Sequence, residues 1–438
     1  MTRRGQRAVA QRRVWVRDLA LAAHHAYPDP PRDRPRELAG FLAACPPLLG
    51  ALALANKRAE PAPTVRHWFL APTAMGATVW PVTPLHTIGD VQSLLGLSAT
   101  KLLWFADSRE LERTVSDERL RHYRYRWVAK RSGGARLIEE PKPLLMHIHR
   151  VLLREILNAI PAHPAAHGFR RGRSTLTYAA DHSGRRVVVH LDLEDFFGSI
   201  LAGRIYGIYR RCGYPEPVAH LLTGLVTNSV PRPVWASAPL PASTAMNGAH
   251  RRLGRHLAHP HLPQGAPTSP ALANLAAFGL DRRLAALAEA SGLCYSRYAD
   301  DLAFSSARHR RDHELARLIE LVTAIATDEG FTINPRKTSI RRASQRQRLA
   351  GVVVNDHPNV DRREYEQLKA IIHNAARSGP ASQNRASHAR FHDHLLGRIG
   401  WVNQLSPARG ERLLASFGRI DWSETLDRER AGDRAPRE

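Results

Sequence analysis

Two short apolar runs, far apart in the chain, each bring aspartate to the end of an extended segment. Val187-Val188-Val189-His190-Leu191 is a β-branched stretch bounded by polar residues, the pattern of a buried central strand, and it ends in Asp192. Cys294 to Ser305 reads as two short strands around a turn at Ala299-Asp300, which sets Asp300 and Asp301 side by side. Adjacent acids on a tight turn repel one another, and an isolated Asp-Asp pair is most often an exposed turn. Any fold for this chain must bury these strands and still account for three carboxylates at their ends.

The chain has 438 residues, 43% hydrophobic and 24% charged, enough to bury a real core in roughly three structural units. Lys and Arg number 64 against 40 acids, a net charge of +24, so a polyanionic partner is expected and nucleic acid comes first. Only six of the basic residues are lysines: Lys57, Lys101, Lys130, Lys142, Lys337 and Lys369. Three cysteines, Cys45, Cys212 and Cys294, make neither a disulfide framework nor a Cys-based zinc site, which fits a reducing cytoplasm. The uncharged run Leu38 to Asn56 is broken by Pro46-Pro47, so it is expected as buried helical pieces and not as a membrane span. Arg3, Arg4, Arg7, Arg12, Arg13 and Arg17 precede the first acid, Asp18, and read as a disordered basic arm; the serines of a transit peptide are missing.

Residues 1–86 form an Ala-, Pro- and Arg-rich extension of short helices, with prolines clustered at Pro28, Pro30, Pro31 and Pro35 and again at Pro61, Pro63 and Pro72. Ile88, Val91, Leu94 and Leu95 then open a packed helical unit. Tyr123 to Ile138 reads as a hairpin turning through Ser132-Gly133-Gly134. Ser229 to Leu262 holds five prolines and four histidines with little periodicity, the look of an insertion loop or small subdomain. Its His256, His259 and His261 have loose metal-like spacing, but no cysteine or acid completes a site, so a solvated loop is expected there. His392 and His394 read the same way. Asp361 and Glu364 resemble a capping box ahead of Tyr365, Leu368, Ile371 and Ile372, and Leu395, Ile399 and Val402 repeat the apolar face, so a small helical domain ends the sequence.

The surroundings of the three aspartates resemble reverse transcriptases. Arg297-Tyr298-Ala299-Asp300-Asp301-Leu302 resembles their Y-x-D-D motif, and His190 to Phe197 their first palm motif. Leu262 to Pro270 resembles L-P-Q-G-x-P-x-S-P, and Gly330 to Thr338 the lysine-bearing motif that follows. Lys130 to Pro141 resembles the fingers hairpin, and His167 to Ser174 the next block. Six motifs in the family's order are far more specific than any one alone. The resemblance implies an α+β right-hand polymerase: fingers at 87–186, palm at 187–345 with the 229–262 insertion, and thumb and tail at 346–438.

It also implies RNA-directed DNA synthesis with two Mg²⁺ ions, held by Asp192 and Asp300 with Asp301 as third ligand; Asp195 would buttress the turn facing the triphosphate. Lys337, in a chain that nearly always chooses Arg, can release a proton when desolvated and reads as a general acid for pyrophosphate, or is simply a solvated strand-end lysine. Phe197 falls at the sugar gate that excludes a ribose hydroxyl, or packs in the core beside Phe196. Lys130 and Arg136 would clamp the triphosphate, or merely join a basic face. Gln264 and Gly265 would pack against the templating pair, with Gly265 allowing close backbone approach. Within the family the chain is most similar to bacterial retron enzymes: Tyr178 to His182 resembles N-A-x-x-H with Tyr for Asn, and Leu349-Ala350-Gly351 resembles V-T-G with two changes. The implied partners are a structured non-coding RNA serving as template and primer, an RNA–DNA hybrid, deoxynucleoside triphosphates and an effector protein, in defence against phage. A group II intron-like or other standalone bacterial enzyme would carry the same catalytic motifs, and a non-catalytic RNA-binding scaffold stays open beside them.

Overall fold

The computed structural model describes residues 14–27, 35–59, 74–107, 109–130, 134–241 and 243–423. Arg3 to Arg13 of the basic arm, most of the two proline clusters, Ser132-Gly133 and the tail after Ser423 lie outside these residues. In chain order the elements begin with α1 (Val14–Ala26), α2 (Pro35–Ala44), α3 (Pro46–Lys57), α4 (Ile88–Leu95), α5 (Ala99–Ala106), β1 (Tyr123–Ala129), β2 (Ala135–Pro141), α6 (Pro143–Glu155) and α7 (Thr175–Asp181). Next come β3 (Val187–Asp192), α8 (Ala202–Arg211), α9 (Glu216–Val226), α10 (Arg232–Ala236), α11 (Asn247–Leu257), α12 (Ser269–Ala276), α13 (Phe278–Ala290), β4 (Cys294–Tyr298) and β5 (Asp301–Ser306). The chain continues with α14 (Asp312–Asp328), β6 (Ser339–Arg342), β7 (Arg348–Leu349), β8 (Val352–Val353), α15 (Arg362–Ser378), α16 (Phe391–Leu405) and α17 (Pro407–Phe417).

These elements separate into two compact units, one of residues up to Leu111 together with Gly203–Val226, the other of Glu112–Ala202 and everything from Thr227. In the first unit α4 starts as its sequence dictates. Thr87 Oγ1 accepts from the Asp90 amide at 3.2 Å and Asp90 Oδ2 accepts from the Thr87 amide at 2.9 Å, a reciprocal cap that satisfies two otherwise orphaned donors. Val91 and Leu95 are buried by the periodic face. Gly224 of α9 lets that helix meet the Ala106 carbonyl: a Cβ there would sit 2.1 Å from the oxygen. The Leu38 to Asn56 run does form helices, α2 and α3, bent by 54° at the Pro46-Pro47 break. They are not the buried pieces expected: Leu49, Leu52 and Leu54 are exposed, because α3 is apolar on more than the one side that packs. Among the described residues no single helix is long and apolar enough to cross a membrane.

The second unit holds an antiparallel hairpin, β1–β2, and an antiparallel four-stranded sheet of order β4-β5-β3-β6. β3 is central and buried on both faces, which explains why its sequence is a continuous β-branched run and not an alternating one. One core runs from the sheet (Val188, Ala303) through α7 (Tyr178, Ala179) to the apolar faces of α15 and α16, with Leu368, Ile372, Leu395, Ile399 and Val402. His182, fully buried behind the sheet, bridges Ser305 Oγ and Ser296 Oγ at 2.7 Å each. Burial pushes its imidazole down to about 3, so the ring is neutral.

The 229–262 segment, expected as an insertion loop or a small subdomain, is helical in part and not a bare loop. It carries α10 and α11, whose Val234, Leu253 and Leu257 pack with Trp235 against Leu137, Tyr125 and Trp127 of the hairpin. With Leu253 and Leu257 as its only large aliphatic residues beside two glycines and three arginines, α11 is too sparsely apolar to register as a period. Nor is His261 solvated. It is fully buried, with Nε2 3.0 Å from Glu139 Oε1 and Nδ1 2.8 Å from the His259 carbonyl. His394 and His392 are likewise half-buried, stacked on His388 and edge-on to Trp422 respectively.

Candidate active site

Asp192 closes β3 and lies directly opposite Asp301 in the β3–β5 register, so the two side chains project from one face at one end of the sheet. Between β4 and β5 only Ala299 and Asp300 make the turn, with Ala299 at φ +56°. The Leu193 amide donates to the Asp300 carbonyl at 2.9 Å, which ties the turn to the residue after Asp192. The segment before β6 runs alongside: the Asn334 amide donates to the Asp192 carbonyl at 2.7 Å and the Glu194 amide to the Thr332 carbonyl at 2.8 Å. That path brings Lys337 Nζ to 2.6 Å from Asp192 Oδ1.

Burial, reinforced by Asp301 and Asp192, pushes the Asp300 carboxyl up to about 6. Burial raises Asp192 as well, against the pull of Lys337. Burial alone would lower Lys337, but its contact with Asp192 wins and holds the ammonium above its ordinary range. His190, two residues before Asp192 on the same strand face, places Nε2 2.9 Å from Asp301 Oδ1. Burial alone would lower the imidazole, but that bond together with the charges of Asp301 and Asp192 raises it. Three carboxylates thus face one ammonium and one imidazole, and they offer hard oxygen donors, the chemistry a divalent ion such as Mg²⁺ accepts. Among the described residues no three acidic, histidine or cysteine side chains are already gathered as a closed ligand set, since Asp192 is turned to Lys337 and Asp301 to His190. Mg²⁺ commonly takes only one or two carboxylates and completes its shell with water and substrate phosphates, so the donor set fits.

The other sequence candidates flank this cluster. Lys130 Nζ lies 3.2 Å from Asp195 Oδ1, joining the hairpin to the segment after Asp192. Arg136 is exposed on β2 without an ion-pair partner among the described residues. Gln264 and Gly265 run against β2: the Glu139 amide donates to the Gln264 carbonyl at 2.9 Å, and a Cβ on Gly265, at φ +139°, would fall 2.8 Å from the Glu139 carbonyl. The close approach Gly265 permits is therefore to the hairpin strand. Phe196 is core at 4% exposed, whereas Phe197 is only partly buried, its ring 6.0 Å from that of Phe169.

Sequence reasoning assigned no role to four residues here. Phe169 is exposed at φ +60°, a strained position for an aromatic residue, and it backs Phe197. His190 could have been found from the two-residue strand period. Glu139 is buried between His261 and Asn228, with Asn228 Nδ2 donating to Glu139 Oε2 at 2.7 Å. Arg297, in the motif itself, is fully buried.

Residues 128–361 match the family described as reverse transcriptase (RNA-dependent DNA polymerase). The retron Mx65 reverse transcriptase of Myxococcus xanthus is 39% identical over 338 residues, 77% of this chain and 71% of that protein. The retron Mx162 reverse transcriptase of the same organism is 36% identical over 353 residues, 78% of this chain and 68% of its own. The retron Ec86 reverse transcriptase of Escherichia coli is 29% identical over 302 residues, 68% and 81% of the two chains. With the motif residues assembled at one sheet end, the chain belongs to the reverse transcriptases, among those of retrons, and is an RNA-directed DNA polymerase.

Proposed function

We propose that the chain copies a structured non-coding RNA into DNA, with Asp192 and Asp300 holding two Mg²⁺ ions and Asp301 as a third ligand released from His190. The observation that carries this reading is the acid cluster at one sheet end: Asp192 and Asp301 face each other across β3 and β5, and the turn before β5 presents Asp300 with its carboxyl raised to about 6. Bound cations would supply charge neutralisation at the triphosphate and an acidified primer hydroxyl. The protein's own part is positioning, which phosphoryl transfer chiefly requires. Lys337, freed from Asp192, directs its ammonium to the leaving pyrophosphate and gives up a proton from Nζ. Lys130 exchanges Asp195 for triphosphate oxygens, and Arg136 adds a second cation from the same hairpin. Phe197, backed by Phe169, closes the space under the ribose C2′, and Gln264 and Gly265 line the templating pair.

In this reading residues 87–186 serve as fingers, 187–345 as palm and 346–438 as thumb, with 1–86 as an extension. The net charge of +24 supports phosphate contacts over the RNA and the RNA–DNA hybrid. The likeness to retron enzymes supports priming from the cognate RNA, a branched RNA–DNA product, an effector protein partner and a role in phage defence. Nucleic acid isolated from cells carrying the native locus tests it: a DNA band whose mobility changes after RNase and debranching treatment, and which is lost with Asp192→Asn or Asp300→Asn, is expected. A linear product from supplied primers on any template would favour a standalone enzyme, and absence of Mg²⁺-dependent synthesis would end the reading.

A further inference from the structure

Arg297 is the largest fully buried side chain among the described residues. Its guanidinium donates from Nε and Nη2 to the two carboxylate oxygens of Asp281 at 2.7 Å each, from Nη2 to Asn274 Oδ1 at 3.1 Å, and from Nη1 to the Ala299 carbonyl at 2.9 Å. Asp281, equally buried on α13, also accepts from the Tyr295 hydroxyl at 2.8 Å. The guanidinium carbon lies 5.7 Å from the centroid of Phe196, next to Phe197. A buried ion pair of this kind adds little net stability, because desolvation offsets most of its Coulomb attraction. What an apolar side chain could not do in its place is hold a carbonyl.

That carbonyl belongs to the peptide joining Ala299 to Asp300. The carbonyl of Asp300 itself accepts from the Leu193 amide, one residue past Asp192. Asp300 is therefore fixed on both sides, once by the fork of Arg297 and once by the strand end that bears Asp192. Ala299 needs such restraint, since its φ of +56° costs an alanine roughly 1–2 kcal/mol. On the other flank, a Cβ on Gly168 would lie 2.6 Å from the Ala299 nitrogen, and Asn274 Nδ2 holds the Gly168 carbonyl at 2.9 Å. One buried network thus links α12, α13, β4 and the turn.

We propose that Arg297 is a positioning residue whose fork sets the spacing of Asp300 from Asp192, and through it the affinity of the site for divalent cation, without touching substrate. This rests on the reading that those two aspartates hold the cation. The test uses the full chain with Mn²⁺ alone as probe, measured by equilibrium binding, beside kcat and KM for single-nucleotide incorporation and thermal unfolding. R297M/D281N removes both charges and keeps an acceptor for Tyr295, while Arg297→Lys keeps a charge opposite Asp281 but cannot reproduce the fork. Either variant is expected to fold, to bind Mn²⁺ about tenfold or more weakly, and to lose on the order of 100-fold in kcat with KM nearly unchanged, the scale of a small misplacement of reacting groups. Wild-type Mn²⁺ affinity and kcat in a folded variant overturn the proposal. So does failure of both variants to fold, which would make Arg297 a residue of the core alone. Asp300→Asn is the control: if Mn²⁺ binding does not depend on it, the cation reading fails, and the proposal with it.

Discussion

Lys337 Nζ lies 2.6 Å from Asp192 Oδ1, so the lysine of one motif neutralises the aspartate of another across 145 residues of chain. The pair has a consequence in each direction. Lys337 pulls against the burial that raises Asp192, and Asp192 makes Lys337 keep its proton more firmly than a free lysine. A lysine held in this way gives up a proton only after Asp192 has exchanged it for another cation.

Lys337→Ala should therefore lower kcat by about 100-fold, the usual scale for loss of general acid assistance. Lys337→Arg restores the charge beside Asp192 but cannot donate a proton near neutral pH. It should recover nucleotide KM and leave kcat low throughout pH 7 to 9. Single-nucleotide incorporation over that range measures both. Full recovery by arginine would reduce Lys337 to a charge partner.

Phe197 is half-buried beside an exposed Phe169, while its neighbour Phe196 takes the core position. Phe197→Ala should admit ribonucleotides, seen as a fall of about 100-fold or more in the ratio of kcat/KM for deoxy- over ribonucleotide. A fall of that size corresponds to about 3 kcal/mol of discrimination, relieved when the ring no longer excludes the 2′-hydroxyl. Phe169→Ala, which only takes away the support, should relax the ratio by about tenfold. Unchanged discrimination in both variants would return Phe197 to a packing role.

Much of this site could be read from the residues because each motif carries its own local geometry. The β-branched run Val187 to Leu191 gives a strand with Asp192 at its tip, and Lys130 to Pro141 gives a hairpin. What could not be read depends on contacts between distant segments. The opposition of Asp192 and Asp301 is a register, and nothing local specifies it. Arg297 is of a type that is almost never fully buried, so its sequence gives no hint of the Asp281 and Asn274 that receive it. His261 looked solvated because its partner, Glu139, lies 122 residues away on the hairpin. Helix α11 escaped notice for a different reason: its stability comes from packing Leu253 and Leu257 on Trp235, not from its own periodicity.

His182 and His149 make the fold sensitive to acid. Both are fully buried and both imidazoles are pushed down to about 3 by burial. In the unfolded chain each takes a proton near its ordinary 6.5, so between these values the unfolded state binds the extra proton. The stability each neutral ring contributes is complete above about pH 6.5 and is lost as pH falls towards 3, at roughly 1.4 kcal/mol per pH unit. At pH 5 that is about 2 kcal/mol for each histidine. His182→Gln keeps a hydrogen-bonding side chain opposite Ser296 and Ser305 and cannot take up the proton. It should cost some stability at pH 7, yet cut by about half the share of the loss between pH 7 and pH 5 that these two histidines cause. Urea unfolding midpoints of the full chain at both pH values, without divalent cation, measure the difference. An undiminished loss in the variant would mean that His182 is already protonated in the folded protein, and that Ser296 and Ser305 accept from it at both ring nitrogens.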